Sequence, residues 1–146
     1  MNVEELLQRY AAGKRDFIGI CLDTQNLSEC NLAGANLTCA QLSEANLSGA
    51  NLSNVNLTEA NLLGTNLSRS DLRGASLINT RLNGAKLIGA NLEGANITNA
   101  SILGADLTGA NLRGTTGRFG YVHGALYHNT ILSSGEVVID PITEEA

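Results

Sequence analysis

At 146 residues with a formal net charge of −5, the chain is of single-domain length and mildly acidic, which is not the balance of a direct nucleic-acid binder. Tryptophan is absent, aromatics make up 3% of the residues and proline occurs once, at Pro141, so large aromatic anchors cannot build the core. Many small, similar layers must do so instead, as in solenoids.

The opening, Met1 to Glu5, carries two acids and no basic run leading into an apolar stretch, which argues against a secretory signal. No segment approaches the roughly 20 apolar residues of a membrane helix. Three cysteines, an odd number, suit a reducing compartment, and a cytoplasmic protein without membrane association is expected. The sequons at Asn26, Asn36 and Asn46 are by-products of a repeat.

Asn2-Val3-Glu4-Glu5 reads as a capping box, and Val3, Leu6, Leu7, Tyr10 and Ala11 recur at helical spacing up to Gly13, a suitable terminator. A helix of about ten residues is marginal alone. Residues 1–14 are therefore expected to cap the first layer of the solenoid, the alternative being a docking helix.

From Arg15 to Gly114 a Leu, Ile or Phe returns every fifth residue, from Phe17 and Leu22 through to Leu112. Two residues before it stands a small residue, mostly Ala, as at Ala35, Ala40, Ala45 and Ala50. Side chains two apart in an extended segment point the same way, so both face inward. Asn, or Asp at Asp16, Asp71 and Asp106, precedes the large residue, and Gly is common two after it, where a turn needs positive φ. A turn every five residues makes a square coil that closes after about 20 residues, and stacked coils satisfy the backbone. The expected architecture is an all-β solenoid of about five to six coils, the five regular ones spanning roughly 24 Å. Its body is residues 15–134, regular over 15–114 and irregular over 115–134, with 135–146 as a C-terminal strand and tail.

The units Ala50-Asn51-Leu52 and Ala90-Asn91-Leu92-Glu93-Gly94 resemble the pentapeptide-repeat family. The start, Val3 to Leu6 and Ala11 to Phe17, is similar to that of cyanobacterial members. The resemblance implies a right-handed quadrilateral β-helix. Its functional range is wide, from topoisomerase-inhibiting DNA mimics to developmental regulators.

Some units depart from the pattern. Gln25 takes an inward position and needs partners if buried, with the helix end as a candidate; Cys30 reads as a small core residue. Cys21 and Cys39 fall on adjacent coils, and a disulfide between them is not expected. After Gly114 the repeat loosens and resumes in register at Val122, Tyr127 and Leu132. Glu136 to Asp140 is a β-prone run stopped by Pro141, expected as an edge strand or cap, or alternatively as a homodimer contact at the C-terminal end. Thr143 to Ala146 are expected to fray.

No catalytic constellation is present. His123 and His128, five apart, fall on neighbouring faces without a carboxylate cluster, the serines lack a nucleophile turn, and abundant Gly serves the turns. Neither an enzyme nor a cofactor or metal site is expected. Residues 20 apart stack into columns. One of them, Ile18, Thr38, Thr58, Ile78 and Thr98, is the geometry of an ice-binding ladder, interrupted by Ile. Another, Ala33, Ser53, Arg73, Glu93 and Arg113, reads as vertical surface ion pairing.

Leu63, Leu103, Ile78 and Ile88 are outward aliphatics around one region. Arg69, Arg73, Arg81 and Lys86 form a basic stretch after an acidic start, and Arg81 and Lys86 replace the usual Asn. These eight residues are the candidate interaction surface. Residues 15–114 hold eight acids and six bases, a net charge of −2, too little negative charge for a convincing DNA mimic. The expected function is a non-enzymatic scaffold or regulator that binds another protein, with a topoisomerase-modulating mimic as the alternative and an ice-binding solenoid as a remote one.

Overall fold

The structure, a computed structural model, describes residues 1–139 and 142–144. Helix α1 spans Val3–Ala11. Asn2 Oδ1 accepts the Glu5 N–H at 2.9 Å, satisfying one of the helix's unpaired first-turn donors. The helix closes where the Lys14 N–H donates to Arg9 O at 3.0 Å, and Gly13 takes a φ of +100° that a side chain would resist. Leu6 is buried, and the Tyr10 hydroxyl donates to Ala33 O at 2.7 Å, tying α1 to the first coil. The Arg15 guanidinium stacks 3.7 Å from the Tyr10 ring centre. Among the described residues no helix is long and apolar enough to cross a membrane.

Parallel bridges then join residues 20 apart, from Asp16 with Asn36 to Asn111 with Ile131. Backbone φ is positive at every fifth residue from Gly19 to Gly114, so a turn closes each unit. Four turns per 20 residues give each coil four faces, carrying in one coil Leu57 (first face), Leu62 (second), Leu67 (third) and Leu72 (fourth). First and third faces oppose each other, as do second and fourth.

The inward columns are the core, and each buried Leu contributes about 1.5–3 kcal/mol against chain entropy. Where Thr replaces the small inward Ala, its hydroxyl finds a carbonyl in the preceding coil: Thr65 donates to Leu42 O at 2.8 Å and Thr80 to Leu57 O at 2.7 Å. A buried hydroxyl would otherwise be costly. Gln25 departs from expectation: it is exposed, because α1 covers only part of the first coil and leaves this amide to solvent. Cys30, in the same open coil, is half-buried.

Beyond Gly114, where the repeat loosens, the positive φ comes at Gly117 and not at Phe119, five residues on. The chain then doubles back over its own last coil. Strands β1 (Ala125–Tyr127) and β2 (Thr130–Ile131) lie in that coil. Strand β3 (Val137–Val138) pairs antiparallel with β2, and β4 (Ile142–Glu144) pairs antiparallel with β1. The β-prone run around Val137 thus serves as a cap on an edge that would otherwise be an open template. Thr143 and Glu144, expected to fray, lie in a paired strand. Asp140, Pro141, Glu145 and Ala146 lie outside the described residues.

Candidate functional site

Each unit leaves one backbone donor over, and this explains its Asn. Around Leu62, the N–H groups of Asn61, Leu62, Gly64 and Thr65 donate to Ala40 O, Arg81 O, Asn83 O and Leu62 O at 2.8–3.1 Å. The N–H of Leu63 points outward, and Asn61 Oδ1 accepts it at 3.1 Å. Asn36, Asn66, Asn91 and Asn111 do the same for their units, and so do Asp71 and Asp106. At Gln41 the amide is one methylene too long, and Asp23 Oδ1 of the preceding coil accepts the Ser43 N–H at 2.8 Å instead. Arg81 and Lys86 have no acceptor on their side chains and cannot do this for Asn83 and Ile88. They stand where the fold favours a residue with a side-chain acceptor.

The eight candidate residues divide. Leu63, 41% exposed, and half-buried Leu103 share a column of the second face with Asn83 between them, and exposed Arg81 lies on that face in the same coil as Asn83. Lys86 follows across the next corner, with exposed Ile88 beyond it on the third face. Arg69 sits at the far corner of that face, its N–H donating to Ile88 O at 2.8 Å. Ile78 is half-buried on the first face.

Arg73 does not join this surface. It stands on the fourth face, opposite Arg81, because eight residues carry the chain nearly half-way round a coil. It is also engaged: Nε and Nη2 donate to Asp71 Oδ1 at 2.9 Å and Oδ2 at 2.7 Å. The bond from Arg73 holds the Asp71 carboxyl below its ordinary range and pushes the guanidinium further up. The vertical ion pairing expected along this column does not form. Glu93 lies in that column between Arg73 and Arg113, but the ion pairs among the described residues are Arg73 with Asp71 and Arg9 with Glu5.

A further feature borders the second face. At three corners Gly fills most turn positions, and side chains such as Glu44 and Asn54 lie over the glycine of the next coil. The corner between the first and second faces carries Cys39, Glu59, Asn79 and Asn99 in succession, all at positive φ. Non-glycine residues there are strained by about 1 kcal/mol or more each. Stacking offsets part of this: the Asn99 amide donates to Asn79 Oδ1 at 2.8 Å and the Cys39 thiol to Glu59 Oε2 at 3.7 Å. Beside them runs a shallow cavity of about 430 Å³ lined by Cys39, Gln41, Glu59, Asn61, Asn79 and Arg81. The sequence did carry a signal for it, the absence of Gly at four positions 20 apart, visible only when turn residues are sorted by corner.

The cysteines differ in reactivity. Cys30 is half-buried, and burial pushes its thiol up to about 11, while Cys21 is exposed and all three are free. Iodoacetamide at pH 8 should alkylate Cys21 well before Cys30, which should react fully only in denaturant; equal rates in the folded protein, followed by mass spectrometry, would contradict this placement.

Among the described residues no group of His, Cys, Asp or Glu could hold a metal ion. His123 and His128 lie on the second and third faces of the last coil.

The family profile described as pentapeptide repeats matches the chain in eight copies, over residues 26–62, 35–74, 50–87 and 75–114. The crystal structure of Rfr23, a pentapeptide repeat protein of the cyanobacterium Cyanothece 51142, is 36% identical over 84% of this chain and 92% of its own, with a TM-score of 0.74. HetL, a pentapeptide repeat protein involved in heterocyst differentiation regulation in Nostoc sp. strain PCC 7120, is 34% identical over 86% of this chain and 70% of its own, at a TM-score of 0.35. The Nostoc protein alr5209 is 39% identical over 75% and 80%, also at 0.35. No match was found among curated proteins. With the five-residue period, the bridges at 20-residue spacing, the family profile and the Rfr23 structure together, the chain belongs to the pentapeptide-repeat family, whose fold is a right-handed quadrilateral β-helix.

Proposed function

We propose that this chain is a non-enzymatic, cytoplasmic scaffold or regulator, a capped rod of about five to six coils that binds another protein through its second face, the two adjoining corners and the near edge of the third face. The observation that carries this reading is the pair Arg81 and Lys86, which occupy positions where Asn would complete the backbone's hydrogen bonding, beside the outward Leu63 and Leu103. An apolar centre flanked by cations suits a partner with an apolar ridge bordered by carboxylates. Between its corners the second face carries one acidic side chain, Asp23 in the first coil, so a surface mimicking DNA phosphates is not favoured. Ice binding is disfavoured as well, since the Thr38 and Thr98 hydroxyls are bound to Asn36 and Asn96 at 2.6 Å.

The test is quantitative capture from the native cell with three baits. Partner recovery should fall more than tenfold with the Leu63→Ser, Leu103→Ser, Arg81→Asn, Lys86→Asn variant. It should be unchanged with an opposite-face control, Glu93→Ser plus Arg113→Ser. Equal recovery with all three baits would reject the second face as the binding surface.

A further inference from the structure

Among the described residues the inward columns do not end in a closed lid. The first-face column runs Phe17, Leu37, Leu57, Leu77 and Ile97, and its next position is Gly117. No side chain can continue it. Gly117 has a φ of +78°, and an added Cβ would come within 2.9 Å of the backbone Cα and N of Thr98. The opening is therefore built into the backbone. Leu57, Leu62 and Leu67 lower in the rod are 0% exposed, but Ile97, Leu112 and Tyr127 retain 5%, 4% and 7%. Above them lies a cavity of about 340 Å³. Phe119 and Val122 wall one side and Val138 of the capping strand lines it from another, with Leu132 beside Leu112.

Most of its lining residues are apolar, joined by Thr115, Ser133 and one charged residue, Arg118. Arg118 is exposed and forms no ion pair among the described residues. A concave apolar cavity with few polar groups is the usual form of a small-molecule site, and a guanidinium without an ion pair among the described residues selects an anion at this one. Since a cavity of about 150 Å³ holds benzene, this one has room for about a dozen non-hydrogen atoms.

We propose that the C-terminal end of the rod binds a small aliphatic carboxylate of about ten carbons, its chain on Ile97, Leu112, Val122 and Leu132 and its carboxylate on Arg118. This site is separate from the second-face surface and stands or falls without it. Decanoate is the probe, titrated calorimetrically into the full chain, with decanol and decyltrimethylammonium as comparisons. Saturable binding of decanoate with one site per chain is expected, at least tenfold tighter than either comparison. Arg118→Gln, an exposed change that leaves the fold intact, should weaken it at least tenfold, and Val122→Phe should remove it by filling the cavity. Three results would each overturn the proposal: no saturable binding at millimolar decanoate, equal binding of the decyl cation, or binding unaffected by Arg118→Gln.

Discussion

Replacing Leu62 by Ala should destabilise the protein by about 2–5 kcal/mol, whereas the same change at Leu63, one residue along, should cost less than about 1 kcal/mol. Nothing in the identity of the two residues distinguishes them. Leu62 points into the rod and is 0% exposed; Leu63 points out and is 41% exposed. A truncated inward Leu leaves a cavity between the coils above and below, which cannot collapse because their spacing is fixed by bonds such as Leu62 N–H to Arg81 O at 2.8 Å. At roughly 2–4 °C per kcal/mol for a chain of this length, the gap between the two variants should approach ten degrees. Thermal and urea unfolding followed by circular dichroism measure it, and similar midpoints for both variants would refute the inward and outward assignment.

The second large effect has the opposite sign. Changing Arg81 and Lys86 together to Asn should stabilise the protein by about 1–3 kcal/mol, because each new Oδ1 supplies the acceptor that the N–H of Asn83 or Ile88 lacks. In the preceding coil Asn61 and Asn66 already do this for Leu63 and Ser68 at 3.1 and 3.0 Å. Natural proteins are rarely at their stability optimum, and where a stabilising substitution also costs function the wild-type residue was kept at the expense of stability. The double variant is therefore expected to melt higher and to bind its partner less. A melting temperature that is unchanged or lower would show that the missing acceptors do not matter.

The five-residue period revealed the inward columns because extended backbone alternates side-chain direction, a property local to a few residues. It does not say what covers a given side chain. Gln25 has an inward register but sits in the first coil, where α1 leaves part of the end open, so the amide meets water. Proximity in the sequence likewise misled at Arg73 and Arg81, since a coil of 20 residues turns an eight-residue separation into opposite faces. The Asn column was visible as a pattern, but its purpose depends on knowing which N–H the ladder leaves unpaired. The strained corner of Cys39, Glu59, Asn79 and Asn99 was also present in the sequence. It was hidden because glycine abundance was read along the chain and not corner by corner. The return of β4 onto β1 carried no comparable signal, since a three-residue strand is specified by the edge it finds.

The proposed binding surface is tested most directly by placing a photo-crosslinking side chain at Asn83, between Leu63 and Leu103 in the outward column of the second face, and separately at Ser53 on the fourth face, in the protein's native cell. The second-face assignment predicts a discrete heavier adduct from position 83 and none from position 53, with the adduct at 83 lost when Leu63 and Leu103 are changed to Ser. Adducts of equal yield from both positions, or an adduct from position 53 alone, would contradict it.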